Sequence, residues 1–264
     1  MEHSKLYTVV FATAVCLVAA VVVSGSAVGL RDLQEANRVL DRQKKVLLVA
    51  GLMDEGEDID RAEVDRRFAR SIEPVVVDLR TGQPVEGVDL ATFDQKALTK
   101  DPATSREAPK NKAKVKRLPN EAMVYRVNKA DGGLDMLVLP VEGKGLWSTL
   151  YGFLALDADG DTIRGLTFYQ HGETPGLGGE IDNPRWKALW KGRKVYQGGA
   201  PSIRVVKGAA GPPDKAPYEV DGLSGATLTG NGVTHLVQFW LGDDGFADVV
   251  ERMTEAAADA GGAR

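Results

Sequence analysis

Residues 6–30 contain no charged side chain, and this run is the feature that most limits what the chain can fold into. As an α-helix the run would be about 37 Å long, which exceeds the roughly 30 Å hydrocarbon core of a bilayer. It has no polar face of the kind that a surface helix of a soluble domain shows. The sequence therefore predicts a membrane anchor over residues 1–31, in contact with lipid, followed by one domain over residues 32–264.

A cleaved secretory signal is the alternative for this segment. The small residues 24–27, Ser-Gly-Ser-Ala, resemble a cleavage site. The apolar region of a signal peptide is usually only ~7–15 residues long, so the length favours an anchor. Basic residues are more numerous after the run than before it, which by the positive-inside rule places the following domain in the cytoplasm. Long domains are often translocated regardless of their charge, so this rule is weak evidence here.

Composition excludes several classes of protein. The chain has 33 basic and 37 acidic residues, a formal net charge of −4, without the basic excess typical of nucleic-acid binding. One cysteine and three histidines are too few for a Cys/His zinc site, and we predict no metal site. The loop 157–161, Asp-Ala-Asp-Gly-Asp, resembles the start of a calcium loop but lacks the glutamate that completes one.

The pattern of apolar residues predicts an α+β fold, with antiparallel hairpins and helices packed against one face of the sheet. Apolar spacing predicts helices over 32–48 and 60–71, a short helix that begins at Pro184 after an Asn183 N-cap, and a helix through Val233 that stops at Gly242. β-rich runs predict strands at 74–79, 122–127, 134–140, 150–157, 162–170 and 202–207. Residues 99–118 are polar and predict a solvated insertion; a basic strip that docks a partner is the alternative.

One loop that suits chemistry covers residues 221–232, Asp-Gly-Leu-Ser-Gly-Ala-Thr-Leu-Thr-Gly-Asn-Gly. Its glycines allow backbone N–H groups to approach a ligand, and the N-terminus of the helix that follows favours a phosphate. The loop is not a Walker loop, because no Lys-Ser/Thr pair follows the glycines. From the residues alone, a turn with Thr229 or Asn231 as the helix N-cap stays the alternative.

The second loop covers residues 171–180, His-Gly-Glu-Thr-Pro-Gly-Leu-Gly-Gly-Glu, and its glycines indicate a tight turn. His171 is either a proton-transfer group or a hydrogen-bonded surface histidine. Trp147, in the segment Gly-Lys-Gly-Leu-Trp, has a large aromatic ring that either packs in the core or lies beside a planar ligand ring.

Residues 221–227 resemble the D-x-x-[S/T]-G-A-T motif of the family of proteins that bind FMN covalently. The chain also has His171–Gly178, the Gly-Lys-Gly-Leu-Trp segment and a single N-terminal span, in the same order. Together these features resemble, nearly from end to end, the C subunits of the sodium-translocating NADH:quinone reductase. The G subunits of the Rnf electron-transport complex share the motif and the anchor, and are the alternative.

The resemblance implies where a flavin is held. In the family the FMN phosphate is esterified to the last threonine of the motif, here Thr227. We expect the isoalloxazine ring to be lined by the second loop, and Trp147 and the residues around Thr227 to complete the site. The cofactor-binding residues expected beside Thr227 are Trp147, Glu173, Thr174, Gly176, Leu177, Gly178, Ser224, Gly225, Ala226, Leu228 and Thr229. Asp221 is expected to order the turn or to serve recognition by the transferase, and no catalytic acid, base or nucleophile is needed.

The resemblance also implies partners and a location. A dedicated flavin transferase attaches the FMN outside the cytoplasmic membrane, so the domain over residues 32–264 is expected to face the periplasm from the bacterial inner membrane. This expectation disagrees with the count of basic residues, and we adopt it over that count. The other partners expected are the remaining subunits of the reductase, between which the flavin relays electrons; nucleic acid is not one of them.

A hypothesis from another class of protein is a flavin-free, membrane-anchored adaptor that uses the same loops for binding. It predicts an intact mass equal to that of the bare chain. An FMN carrier predicts a chain heavier by one FMN.

Overall fold

The computed structural model describes residues 4–90 and 92–262. Contacts divide the chain into two compact units, one that ends at Arg42 and one that begins at Gln43. Helix α1, Lys5–Gly29, begins after the N-cap Ser4, whose Oγ accepts a hydrogen bond from the N–H of Tyr7 at 3.3 Å. Helix α2 then runs from Arg31 to Val49.

Helix α1 matches the apolar helix that the sequence predicts at this end of the chain. None of its residues is buried. Within the described residues it is the one helix whose length and composition suit a membrane span. Exposure of apolar side chains to water is unfavourable in free energy. A lipid environment therefore accounts for the composition of this helix.

A central antiparallel sheet organises the second unit and confirms the predicted α+β class. Its strands are β1 (Ile72–Asp78), β4 (Glu121–Asn128), β5 (Leu134–Lys144), β6 (Thr149–Asp157) and β7 (Ile163–Gln170). Within the described residues they lie in the order β1-β4-β5-β6-β7, with each neighbouring pair antiparallel. Adjacent strands along the chain from β4 to β7 are joined directly, so the loops at each end of the sheet are brought together.

Helices cover both faces of this sheet, and the prediction that they cover one face was wrong. Helix α6, Thr227–Trp240, packs on the face that carries Leu137 and Leu139 of β5. On the other face Phe68 of α3, Arg61–Ser71, packs edge-on against Tyr125 of β4 at 5.9 Å between ring centroids. Central strands with apolar side chains in both directions require a cover on each side; Tyr125 and Val124 are both buried.

The remaining elements connect and flank the sheet. They are α4 (Gln95–Lys100), β2 (Ser105–Glu107), β3 (Arg117–Pro119), a 3₁₀ turn (Gly178–Asp182), α5 (Pro184–Ala188), β8 (Tyr196–Gln197), β9 (Ala200–Pro201), β10 (Arg204–Val205), β11 (Glu219–Val220) and α7 (Ala247–Gly262). Helix α5 begins as predicted, because the side chain of Asn183 accepts a hydrogen bond from the N–H of Arg185 at 3.0 Å. The strand predicted over 202–207 is confined to β10.

The polar segment 99–118 is not solvated throughout. Strands β2 and β3 pair within it, and Ala113, Val115 and Leu118 are buried in the main core. The lysines that surround these three residues hide their apolar spacing, which is why the sequence predicts a loop there. The segment is part of the cover on the face of the sheet that α6 shares.

The acidic loop 157–161 is closed by a lysine. The carboxylate of Asp159 accepts hydrogen bonds from the N–H groups of Asp161 and Thr162 at 2.9 and 2.7 Å. The Nζ of Lys194 lies 3.0 Å from Asp159 and 3.3 Å from Asp161. Burial raises the pKa of Asp159, but these bonds more than offset that effect and hold its pKa well below the usual range. A single ammonium group therefore bridges two carboxylates of this loop.

Candidate functional site

Three loops meet at one end of the sheet, beside the start of α6. The first joins β5 to β6 over residues 145–148, the second follows β7 over residues 171–177, and the third precedes α6 over residues 221–226. Side-chain hydrogen bonds connect the first loop, the second loop and α6 directly. The residues predicted from the sequence as a flavin site are therefore brought together by the fold, although they lie on segments far apart in the chain.

Glu173 is the centre of this connection. Its Oε1 accepts hydrogen bonds from the N–H groups of Trp147 and Ser148 at 3.0 and 3.1 Å, and from the Ser148 hydroxyl at 3.4 Å. Its Oε2 accepts from the N–H of Leu146 at 3.1 Å and from the hydroxyl of Thr229 at 2.6 Å. The residue is only 5% exposed. We call this set of bonds the Glu173 network.

The Glu173 network keeps its central carboxylate ionised. Burial raises the pKa of Glu173, but the hydrogen bonds from Thr229 and from the three backbone N–H groups outweigh burial, so its pKa is lowered. A carboxylate accepts hydrogen bonds only, and each of its oxygens here receives at least two. Glu173 therefore holds the loops rather than presenting a free polar group to a ligand.

Two glycines leave room for this carboxylate. A Cβ at Gly145 would lie 2.6 Å from Oε1 of Glu173, and a Cβ at Gly178 would lie 2.5 Å from the Thr229 hydroxyl and 2.8 Å from Oε2 of Glu173. Non-bonded heavy atoms do not approach so closely without displacement of one of them. Glycine is thus required at these two places by the Glu173 network, and Gly178, which was expected to bind the cofactor, instead makes room for this carboxylate.

His171 fixes the start of the second loop. Its Nδ1 accepts a hydrogen bond from the N–H of Glu173 at 3.2 Å, so its proton lies on Nε2, 2.7 Å from Oδ2 of Asp182. Both ring nitrogens are engaged within the protein. Of the two roles left open from the sequence, this geometry favours the hydrogen-bonded structural histidine over a proton-transfer group.

Asp221 orders the third loop. Its Oδ1 accepts a hydrogen bond from the N–H of Ala210, and its carbonyl oxygen accepts from the indole of Trp186, both at 2.9 Å. Gly225, with φ of 69°, then turns the chain into α6 in a backbone conformation that favours glycine. The side chain of Asp221 therefore has the first of the two roles expected for it.

Thr227 is the first residue of α6, and its side chain is exposed. The alternative in which Thr229 or Asn231 caps this helix is wrong, because the helix begins two residues before the first of them. Its N-cap is Ala226, and no side chain among the described residues caps the helix. Uncapped N–H groups and the helix dipole favour an anion at this end.

The early start of α6 follows from how closely the helix packs. Gly230 and Gly232 lie inside the helix, where glycine costs about 1 kcal/mol relative to alanine. A Cβ at Gly232 would lie 2.5 Å from the carbonyl oxygen of Lys144, and one at Gly230 would lie 3.1 Å from Val205. These glycines permit contact with β5 and β10, whereas the sequence suggested a turn.

Thr229, two residues after Thr227, is fully buried and donates its hydroxyl to Glu173. Thr227 instead lines a cavity of about 400 Å³ at the surface. The other residues that line it are Val205, Val206, Lys207, Gly208, Gly222, Leu223, Ser224, Gly225, Gly230 and Asn231. Of the two hydroxyl groups, only that of Thr227 is accessible to a modifying enzyme.

Large exposed apolar side chains lie on the first two loops and at the start of α6. Trp147 is 68% exposed, Leu228 61%, Leu177 45% and Leu146 41%. In the described part of the second unit, Leu90 is the only other large apolar residue with comparable exposure. Leu177 packs beside the turn at Gly225, 3.0 Å from the position of a Cβ there. Exposed apolar surface concentrated at one place is typical of a binding site.

The predicted site residues thus divide into two groups. Exposed to a ligand are Trp147, Thr174, Gly176, Leu177, Ser224, Gly225, Thr227 and Leu228. Buried behind them are Glu173, Gly178, Ala226 and Thr229. Sequence reasoning missed Leu146, which its position beside Trp147 indicates, and the cavity residue Lys207, for which the sequence offers no such signal. It considered the cavity residue Asn231 only as a helix N-cap.

Exposed apolar side chains and an exposed hydroxyl at an uncapped helix N-terminus suit a planar, phosphate-bearing cofactor, and comparison with known proteins agrees. Residues 145–242 match the family described as FMN-binding domain. The match contains all three loops and α6. The site therefore lies in an FMN-binding domain.

Comparison of the whole chain identifies the particular family. The chain is 48% identical to the C subunit of the Na(+)-translocating NADH-quinone reductase of Pseudomonas aeruginosa, over 93% of this chain and 94% of that protein. It is 44% identical to the corresponding C subunit of Yersinia pestis over 95% of this chain and 93% of that protein. The chain belongs to the family of Na(+)-translocating NADH-quinone reductase C subunits, which are subunits of an oxidoreductase and ion-translocating complex.

Solved structures agree with this assignment. The crystal structure of NqrC from Shewanella oneidensis matches with a TM-score of 0.77 at 35% identity, over 83% of this chain and 99% of that chain. The structure of the reductase C subunit from Parabacteroides distasonis matches with a TM-score of 0.62 at 29% identity, over 84% of this chain and 96% of that chain. The predicted family and fold are confirmed, and the family is that of the reductase C subunits rather than the Rnf G subunits.

Proposed function

We propose that this chain carries FMN esterified to Thr227 and relays electrons between neighbouring redox subunits of a sodium-pumping NADH:quinone reductase. The observation that carries the proposal is the exposed hydroxyl of Thr227 at the uncapped N-terminus of α6. A phosphate at this place gains from the unpaired N–H groups and from the helix dipole. The neighbouring hydroxyl of Thr229 is buried, which supports Thr227 over it.

Attachment exchanges one bond to phosphorus for another. Thr227 would hold the FMN through a phosphoester at its Oγ, which would lose its proton as the phosphate donor lost its former substituent. The left-handed turn at Gly225 and the small Ala226 leave the approach to Oγ open. A dedicated flavin transferase is thus a partner during maturation. Ser224 and Lys207 lie on the cavity side, where they suit the phosphate and its surroundings.

The exposed apolar residues suit the flavin ring. Trp147, Leu177 and Leu228 present apolar surface around Thr227, and Thr174 and Gly176 present exposed backbone on the second loop. When bound, FMN accepts and donates electrons singly or in pairs. The protein's part is to hold the ring and to exclude water from its faces, and no general acid or base is required among its residues.

Helix α1 anchors this carrier in the bacterial inner membrane, with the flavin domain in the periplasm, where the transferase acts. Deletion of residues 1–31 is expected to yield a domain that no longer sediments with membranes. Trypsin added to spheroplasts is expected to digest the domain of the full chain, while in intact inside-out vesicles the domain stays protected. Protection in spheroplasts would place the domain in the cytoplasm and contradict this orientation.

Intact-mass spectrometry of the full chain, produced in a host that has the transferase, tests the proposal. The wild-type chain is expected to be heavier by one esterified FMN and to fluoresce on a denaturing gel. Thr227→Ala is expected to lose both signals while keeping its fold, because the acceptor oxygen is gone. Thr92→Ala is the control, an exposed hydroxyl outside the site, and is expected to keep the label.

Two other results would contradict the proposed attachment of FMN to Thr227. A wild-type chain with the mass of the bare polypeptide would support a flavin-free adaptor in place of an electron carrier. Label retained in Thr227→Ala would move the attachment to another residue. Co-purification of the chain with the other reductase subunits is expected from a carrier within that complex.

A further inference from the structure

The Glu173 network contains a buried negative charge next to the proposed flavin. Its five donors are three backbone N–H groups and the hydroxyls of Ser148 and Thr229. None of the hydrogen-bond donors that the described residues supply to this carboxylate is a basic side chain. The one lysine at the first loop, Lys144, donates to the carbonyl oxygen of Trp147 at 2.8 Å and not to Glu173.

This arrangement differs from an ion pair in its effect on the surroundings. N–H and O–H dipoles stabilise the carboxylate without cancelling its net charge, so a negative potential remains in the adjacent region. Because Glu173 is nearly inaccessible to solvent, water screens that potential less than it would at the surface.

The charge lies directly behind the groups that face the cofactor. Glu173 bonds the N–H groups of Leu146 and Trp147, whose side chains are exposed at the site. It also bonds Thr229, which lies two residues after Thr227 on the same helix. A ring held by these loops therefore adds any electron close to an existing anion, which Coulomb repulsion disfavours.

We infer that Glu173 is a positioning residue that holds the loop 145–148 against the first turn of α6 and, through its uncompensated charge, lowers the reduction potential of the bound flavin. The inference rests on the proposed attachment of FMN at Thr227. It changes the role expected for Glu173 from lining the ring to supporting and tuning the site. A variant with a neutral residue here would accept electrons more readily and release them less readily.

The test compares midpoint potentials of the flavin in the full chain, purified in detergent, by spectroelectrochemical titration. Glu173→Gln removes the charge but keeps the shape, and is expected to raise the midpoint potential. Thr229→Val removes the hydrogen bond at 2.6 Å and keeps the charge. With one donor fewer the anion is less well stabilised, so Thr229→Val is expected to shift the potential in the opposite direction, to a lower value.

Asp159→Asn is the matched control. It also removes a carboxylate whose pKa is lowered, but one that is paired with Lys194 and partly exposed to solvent. Its potential is expected to equal that of the wild type. If Glu173 served folding alone, the midpoint potentials of Glu173→Gln and Thr229→Val would not shift in opposite directions.

The outcomes separate this inference from the proposed function. Intact mass is measured first, and a wild-type chain without FMN overturns the proposed function and this inference together. FMN present on the wild type and on Glu173→Gln, with equal potentials, overturns the inference alone. If Glu173→Gln does not fold, Thr229→Val decides: an unchanged or raised potential overturns the inference, and a lowered potential supports it.

Discussion

The Glu173 network and the acidic loop 157–161 stabilise an ionised carboxylate in different ways. Each has a carboxylate whose pKa is lowered by hydrogen bonds from backbone N–H groups and a threonine hydroxyl. In the acidic loop the Nζ of Lys194 also contacts Asp159, at 3.0 Å. Among the described residues no cation bonds to Glu173, which instead accepts a hydrogen bond from the hydroxyl of Thr229 at 2.6 Å. The first arrangement pairs the carboxylate with a cation, and the second leaves an unpaired negative charge beside the candidate site.

By our inference, this difference separates a structural carboxylate from a functional one. The Asp159 side chain is 46% exposed, so solvent and salt weaken whatever field it produces. Glu173 is 5% exposed. The depth of a carboxylate and the kind of donor that faces it therefore decide whether it only stabilises a turn or also influences a ligand.

Overpacking of the Glu173 network is expected to have the largest effect. Gly178→Ala would place a Cβ against Thr229 and Glu173 at the distances given above, where backbone and buried groups must shift. We expect a loss of about 3 kcal/mol in the free energy of unfolding, at the upper end for overpacked sites. Denaturant titration of the full chain in detergent measures it.

Gly176→Ala is the control for this prediction. It lies in the same loop at φ of 74°, with no atom within 4 Å of its Cβ position. It is expected to cost only the backbone strain, about 1 kcal/mol. Equal losses in the two variants would show that strain, and not the carboxylate, makes Gly178 necessary.

Removal of one donor from the Glu173 network is expected to cost less. Thr229→Val leaves Oε2 of Glu173 with one donor in a buried place, and a loss of about 1.5 kcal/mol is expected. This loss should be the same at low and high ionic strength, because the hydrogen bond that is removed has no cation to be screened. A strong dependence on salt would reveal an ion pair that this picture lacks.

Removal of the cation from the acidic loop is expected to cost less again. Lys194→Met leaves Asp159 and Asp161 close together without their ammonium partner, but both are partly exposed. We expect a loss of at most about 1 kcal/mol, and salt should reduce it. Thermal unfolding at low and high ionic strength, compared with Thr229→Val, measures the contrast between the two regions.

The smallest effects are expected in acid. Both carboxylates have folded-state pKa values below their unfolded values, so each contributes stability that is present above about pH 5 and is lost as the pH falls through the folded pKa. Asp159→Asn is expected to flatten this acid limb slightly, and unfolding midpoints from pH 6 to pH 3 measure it. If stability instead fell more steeply with acid in the variant, Asp159 would not be the source of the acid-dependent stability assigned to it.

Several parts of the structure could be predicted because short segments determine them. The strands from β4 to β7 follow from local β-rich runs, and α5 follows from Asn183 and Pro184. The start of α6 was misplaced because Gly230 and Gly232 look like turn residues, and only their contacts with Val205 and Lys144 explain them inside a helix. The core positions within 99–118 were missed because lysines surround them.

The sequence by itself determined the apolar anchor helix and the position of the exposed threonine in its motif. Both depend on neighbouring residues alone: the absence of charge over a membrane's thickness, and small residues before one hydroxyl. Tertiary structure decided that Glu173 faces Thr229, 56 positions away along the chain, and that backbone N–H groups rather than a cation hold it. Those contacts arise from the packing of α6 on the sheet, and no local pattern of residues encodes such packing.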